Sequence, residues 1–145
     1  ETAMCLNGTG TGNPNEPTPT LGSTGEFAKL TSFKILNSVC SKLSACHAGL
    51  TYNVCESTLM TRPDLADAVG IPVGTFPTHF LLMQEEWRQA VVPRTEAPTC
   101  VLELEALLCT DAGVVGAYDS TAADPYAAVA GILTPSCATA LELAP

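Results

Sequence analysis

Basic residues are scarce in this chain: Lys and Arg number six in 145 residues, and none follows Arg94. A duplex or an anionic membrane surface is held by clustered cations, so this balance excludes a nucleic-acid binder and an electrostatically driven headgroup binder. Long apolar runs are also missing. None approaches the roughly 20 residues that a spanning helix needs, which excludes a transmembrane segment. Polar-apolar alternation and Asn-Gly hairpins flanked by β-branched runs are absent, so strand signals are few. There is no glycine-rich phosphate loop, G-x-S-x-G elbow or calcium loop, and no cysteine spacing suits zinc. Charged residues make up only 14%, yet 46% of the chain is apolar and the mean hydropathy is +0.24. That composition belongs to a folded chain, and 145 residues form about one domain with a real core.

Against these absences stand seven cysteines: Cys5, Cys40, Cys46, Cys55, Cys100, Cys109 and Cys137. Dispersed among apolar residues, they read as a disulfide framework formed in an oxidising compartment. The six from Cys40 onward are the expected staples, with a local Cys46 to Cys55 closure and two long-range bonds. The first residue is Glu, which suits a mature exported form freed of its signal peptide, although Glu1 to Met4 also read as residues added at cloning. The expected location is extracellular, at the cell surface or periplasmic.

Seven is odd, and Cys5 is the outlier. It heads residues 6–25, LNGTGTGNPNEPTPTLGSTG, a Gly/Thr/Pro-rich stretch with only two Leu as sizeable apolar residues. Such a segment has nothing to bury, so 1–25 is expected to be an extended arm ahead of a domain over 26–145. Cys5 with its spacer resembles the lipid-bearing cysteine of bacterial lipoproteins, although Met4 stands where that family has a small residue. An interchain disulfide and a free thiol are the other readings of Cys5. Asn7-Gly8-Thr9 matches a glycosylation acceptor, and an unmodified spacer is its plain alternative.

From Glu26 the pattern turns helical. Phe27, Leu30, Phe33, Leu36, Cys40 and Leu43 form a stripe that predicts a helix capped by Ser23 or Thr24 and ending near residues 46–49. Thr51 is expected to cap a helix over 52–60. A short helix over 64–69 closes at Gly70, and 71–77 reads as a loop. A helix over 78–92 is ended by Pro93. Another over 97–110 has Pro98 near its start and buries Val101, Leu104, Leu107 and Leu108. Weaker helical signals follow over 125–133 and from Pro135. The expected fold is all-α: a small disulfide-stapled helical bundle preceded by an extended Gly/Thr/Pro-rich arm.

Candidate sites are few. The segment around Cys40 and Cys46-His47 resembles the haem-attachment helix of the c-type cytochromes, in which a histidine directly follows the second of two haem-bonded cysteines. Five residues separate the cysteines here, where that family has two. The resemblance implies a covalent haem at Cys40, Cys46 and His47, with His79, Met60 or Met83 as distal ligand. On their own chemistry these three read as a surface histidine and two core methionines. Glu85 with Glu86 reads as a solvated face, and Glu103 with Glu105 diverge on a helix, so neither pair can flank a substrate. No catalytic or metal site is expected.

The net charge of −9 is uneven: residues 27–94 are near neutral, and seven acids with no base follow Arg94. A neutral, acid-tipped surface suits contact with another protein or with copies of the same chain. The functional expectation is an exported, non-enzymatic structural or interaction protein, displayed on a cell surface or assembled outside the cell through its arm. The alternatives are a mono-haem electron carrier and a small apolar-ligand carrier.

Overall fold

Ile35, Leu36, Val39, Cys40 and Leu43 recur at helical spacing, and in the computed structural model, which describes residues 27–145, they form the buried face of α1 (Thr31–Cys46). The expected caps Ser23 and Thr24, like the arm with Cys5 and Asn7, lie outside the described residues. Phe27 and Leu30 instead precede α1 as buried residues, with Phe27 edge-on to both Phe80 and Trp87. Gly49, at φ +86°, turns the chain into α2 (Tyr52–Met60). There the Thr51 side chain accepts a hydrogen bond from the Val54 N–H at 3.2 Å, as the sequence leads one to expect.

The predicted 64–69 helix is only a 3-10 turn, Ala66–Ala68. Gly70 follows at φ +107°, where a Cβ would strike the carbonyl oxygen of Leu141, so this position tolerates only glycine. Thr78 caps α3 (His79–Trp87) through the Leu81 N–H.

The expected continuation of α3 to residue 92 does not form. Gln89 adopts a left-handed φ of 66°, and Val91–Pro93 become strand β1. Its antiparallel partner is β2 (Leu141–Leu143), with Val91 opposite Leu143 and Pro93 opposite Leu141. The expected helical fold is thus present, with one short pair of strands added to it among the described residues. The cause of this pair is tertiary, because the β-branched Val91 and Val92 find a partner about fifty residues away. The next helix, α4 (Ala97–Ala106), starts with proline in its first turn, as expected. It stops four residues short of the predicted end, and Leu108, expected in the core, is exposed.

A five-residue α5 (Ala112–Gly116) follows. The predicted 125–133 helix shrinks to a 3-10 turn, Val129–Ile132, and a second such turn, Pro135–Thr139, carries Cys137.

Around α1 pack α2 and α4. Three disulfides join Cys40 to Cys55, Cys46 to Cys109 and Cys100 to Cys137. The expected Cys46 to Cys55 closure is thus replaced. Six residues along a helix rotate a side chain by about 240 degrees, so Cys40 faces α2 while Cys46 faces the loop after α4. Three disulfides fit an oxidising compartment. No helix among the described residues is long and apolar enough to cross a membrane.

Candidate functional site

Where α1 and α4 lie side by side, they leave a groove of about 800 Å³. Ala97, Val101 and Glu105 recur every four residues along α4, as do Pro98 and Leu102, so both rows belong to the face that borders this groove. The opposite wall is Thr31, Lys34, Asn37 and Ser38 of α1, and Pro93 to Thr95, which lead into α4, also border it. Leu102 is 65% exposed, one of few large apolar side chains left to solvent. The ribbon fixes this segment, because the Arg94 N–H donates to the Ala140 carbonyl at 2.8 Å.

Directly behind Thr31 lies a buried polar clamp. The Glu86 carboxylate accepts from the N–H groups of Thr31 (3.0 Å) and Ser32 (2.8 Å), capping α1 from a helix 55 residues away. His79 donates through Nε2 to the Ser32 carbonyl at 2.8 Å, and the acceptor fixes the proton on that nitrogen. Its Nδ1 is buried and has no hydrogen-bond partner among the described residues. Burial pushes the His79 pKa down to about 4. Burial also pushes the Glu86 carboxyl above its usual range, opposed by its hydrogen bonds from Ser32 and Thr31 and by the charge of Lys34. Two expectations are corrected here: His79 is fully buried rather than on the surface, and Glu86 is only 6% exposed.

On the far side, His47 Nε2 lies 2.8 Å from the Val114 carbonyl, and its ring meets Tyr118, which in turn meets Tyr126 edge-on. Arg62 sits over Tyr126 and grips Asp124 with both terminal nitrogens, at 2.7 and 2.8 Å. The guanidinium holds the Asp124 carboxyl below its usual range. Arg62 also bonds Asp64, tying the acidic last third to the loop after α2.

The residues singled out from sequence are therefore dispersed. The sulfurs of Cys40 and Cys46 are both committed to disulfides, which leaves no thiol for a haem thioether at either position. Met60 and Met83 are core residues. Glu103 accepts from the Thr134 hydroxyl at 2.6 Å, while Glu105 borders the groove. No group of three His, Cys, Asp or Glu that could hold a metal is brought together among the described residues.

Sequence reasoning missed Lys34, Arg94 and Leu102, and it placed Glu86 and His79 at the surface. One signal was available: α4 carries Leu102 as well as Val101 and Leu104, more apolar surface than a single buried stripe accommodates. No protein-family model, curated protein or solved structure matches this chain.

Proposed function

We propose that the chain is an exported, non-enzymatic interaction protein that works by holding an apolar group in the groove between α1 and α4. The observation that carries this reading is the groove itself, which joins the exposed Leu102 to Val101, Pro98 and Ala97 in a volume typical of small-ligand sites. The disulfides support it. A cleft between two helices keeps its width only if the helices are fixed, and each of these two is cross-linked to another part of the fold.

Nile red, a neutral apolar dye, tests the reading. One dye per chain is expected to bind with enhanced fluorescence, and Leu102→Asp, at an exposed position, to abolish the signal with the far-ultraviolet spectrum unchanged. Dye binding that ignores Leu102→Asp, or no binding, overturns it.

Cell-surface display or assembly through residues 1–25 is a second proposal, supported by cysteine arithmetic. The three disulfides use six of seven cysteines, and the remaining one is Cys5. Intact mass of the native protein without reductant would show a lipid or interchain bond at Cys5, or a glycan at Asn7. An unmodified monomer with a titratable thiol overturns anchoring and cross-linking together.

A further inference from the structure

We infer that the disulfide between Cys46 and Cys109 is a thiol-exchange site: a low-molecular-weight thiol opens it from solution by forming a mixed disulfide on Cys109, while the other two bonds stay closed.

The three staples differ in access. Cys40, Cys55, Cys100 and Cys137 are all fully buried, so a thiol reaches their two bonds only when the core itself opens. Cys109 is exposed, in the turn between α4 and α5, and Cys46, the last residue of α1, is half-buried. Exchange depends on access to the sulfur that is attacked, and exposed disulfides are the labile ones.

Contacts on both sides of this bond hold its two cysteines in place without it. Lys42, one helical turn before Cys46, donates to the Leu107 carbonyl at 2.6 Å, and His47, directly after Cys46, meets the Val114 carbonyl at 2.8 Å. The Asp111 carboxylate accepts from the Leu108 N–H at 2.8 Å and closes the turn that carries Cys109. Beyond it, Gly113 lies so near the Val129–Ile132 turn that a Cβ there would strike the Gly131 carbonyl oxygen. The end of α1 is thus pinned to residues 107 and 114, which flank Cys109, and the bond can open with the fold intact. The freed Cys46 stays within reach of the mixed disulfide, so reclosure is intramolecular and the modification reversible.

The exchange needs no oxidant. The attacking thiolate bonds to Cys109 Sγ as the bond to Cys46 breaks, and the electron pair leaves on Cys46 Sγ, which takes up the proton that the thiol gave to solvent. One disulfide replaces another, and one thiol replaces another.

The test uses the oxidised full chain, treated first with iodoacetamide to remove Cys5 from the reaction and then with 2-mercaptoethanol in the absence of denaturant. This probe is neutral, because the carboxylate of Asp111 borders the turn. Freed thiols are tagged with N-ethylmaleimide after an acid quench and mapped by peptide mass. A 2-mercaptoethanol adduct on Cys109 with a tag on Cys46 is expected at least about tenfold faster than any label on the other four cysteines. Its rate should not change in urea below the unfolding transition, and the far-ultraviolet spectrum should stay that of the parent. Three bonds opening together, a buried bond opening first, or an adduct on Cys46 instead of Cys109 overturns the site. A Cys46 to Cys109 rate that climbs with urea in step with the others, or a lost helical spectrum once this bond alone is open, overturns exchange within the intact fold.

Discussion

Residues 27–106 and 107–145 are held together by different means. In the first region, four α-helices bury apolar stripes against one another, and helix starts are secured by Thr51, Thr78 and the buried Glu86. The second region has one five-residue α-helix, two 3-10 turns and a three-residue strand. What holds it is attachment: disulfides to Cys46 and Cys100, the Arg62 to Asp124 grip, the tyrosine contacts and the β1 partner. The contrast teaches that segments poor in helical pattern can still hold one shape when several distant points fasten them, because fastening narrows the unfolded ensemble.

Removing a staple should break the comparison most visibly. Cys46→Ala with Cys109→Ala opens a 63-residue loop, and chain-entropy arithmetic puts the cost at about 4 kcal/mol. The loss should appear in denaturant melts, and amide exchange should rise in 107–132 before it rises in α1 and α2. Uniform exchange across both regions would show that the second is not separately fastened.

Acid should act on the first region. With its pKa lowered to about 4 from an ordinary 6.5, His79 stays neutral in the fold while the unfolded chain takes up a proton. Stability is therefore lost as pH falls from 6.5 toward 4, by about 3 kcal/mol at the lower end. Glu86 works with the opposite sign: its raised pKa gives stability that is complete below the unfolded value and lost as pH rises through the folded one. Subtracting the curve of His79→Gln, which keeps a donor for the Ser32 carbonyl, isolates the histidine. Parallel stability curves for parent and variant between pH 4 and 6.5 would refute the assignment.

Glu86→Ala removes both acceptors from the start of α1 and should cost about 2 kcal/mol at pH 7. Glu86→Gln, which retains one acceptor and deletes a buried charge, should cost under about 1 kcal/mol. Equal costs would mean that packing, not capping, sets this end of the helix. The smallest effect belongs to Arg62→Gln. Its partner Asp124 is exposed, so global stability should barely move, while exchange quickens near Asp119 to Tyr126. A large drop in the melting midpoint would make Arg62 a principal support instead.

What could be read from the sequence follows the same division. Thr51 and the helix after it, the α1 stripe and the proline in the first turn of α4 are local features, and they stand where the pattern put them. Val91 and Val92 looked helical because nothing within a turn of them announces Leu141–Leu143 as a partner. His79 and Glu86 looked like surface residues because their burial depends on Ser32, more than forty residues away. The groove was hidden for a related reason. Lys34 and Arg94 become neighbours of one cleft only after α1 and α4 are packed, although the surplus leucine on α4 pointed to an uncovered face.

The ribbon also governs how this domain answers a pull. Leu30 and Val91 border one crevice, Val91 pairs with Leu143, and the Ala144 N–H donates to the Ala90 carbonyl, so both ends of the described chain meet at β1. Tension applied between those ends is carried first by a few hydrogen bonds of β1 and β2 and by the aromatic seat of Phe27. Beyond that the load reaches the Cys100 to Cys137 bond, which stops the C-terminal end from stripping further. A chain tethered at one end and loaded at the other would open its ribbon and then hold, acting as a short mechanical fuse in series with a cross-linked body.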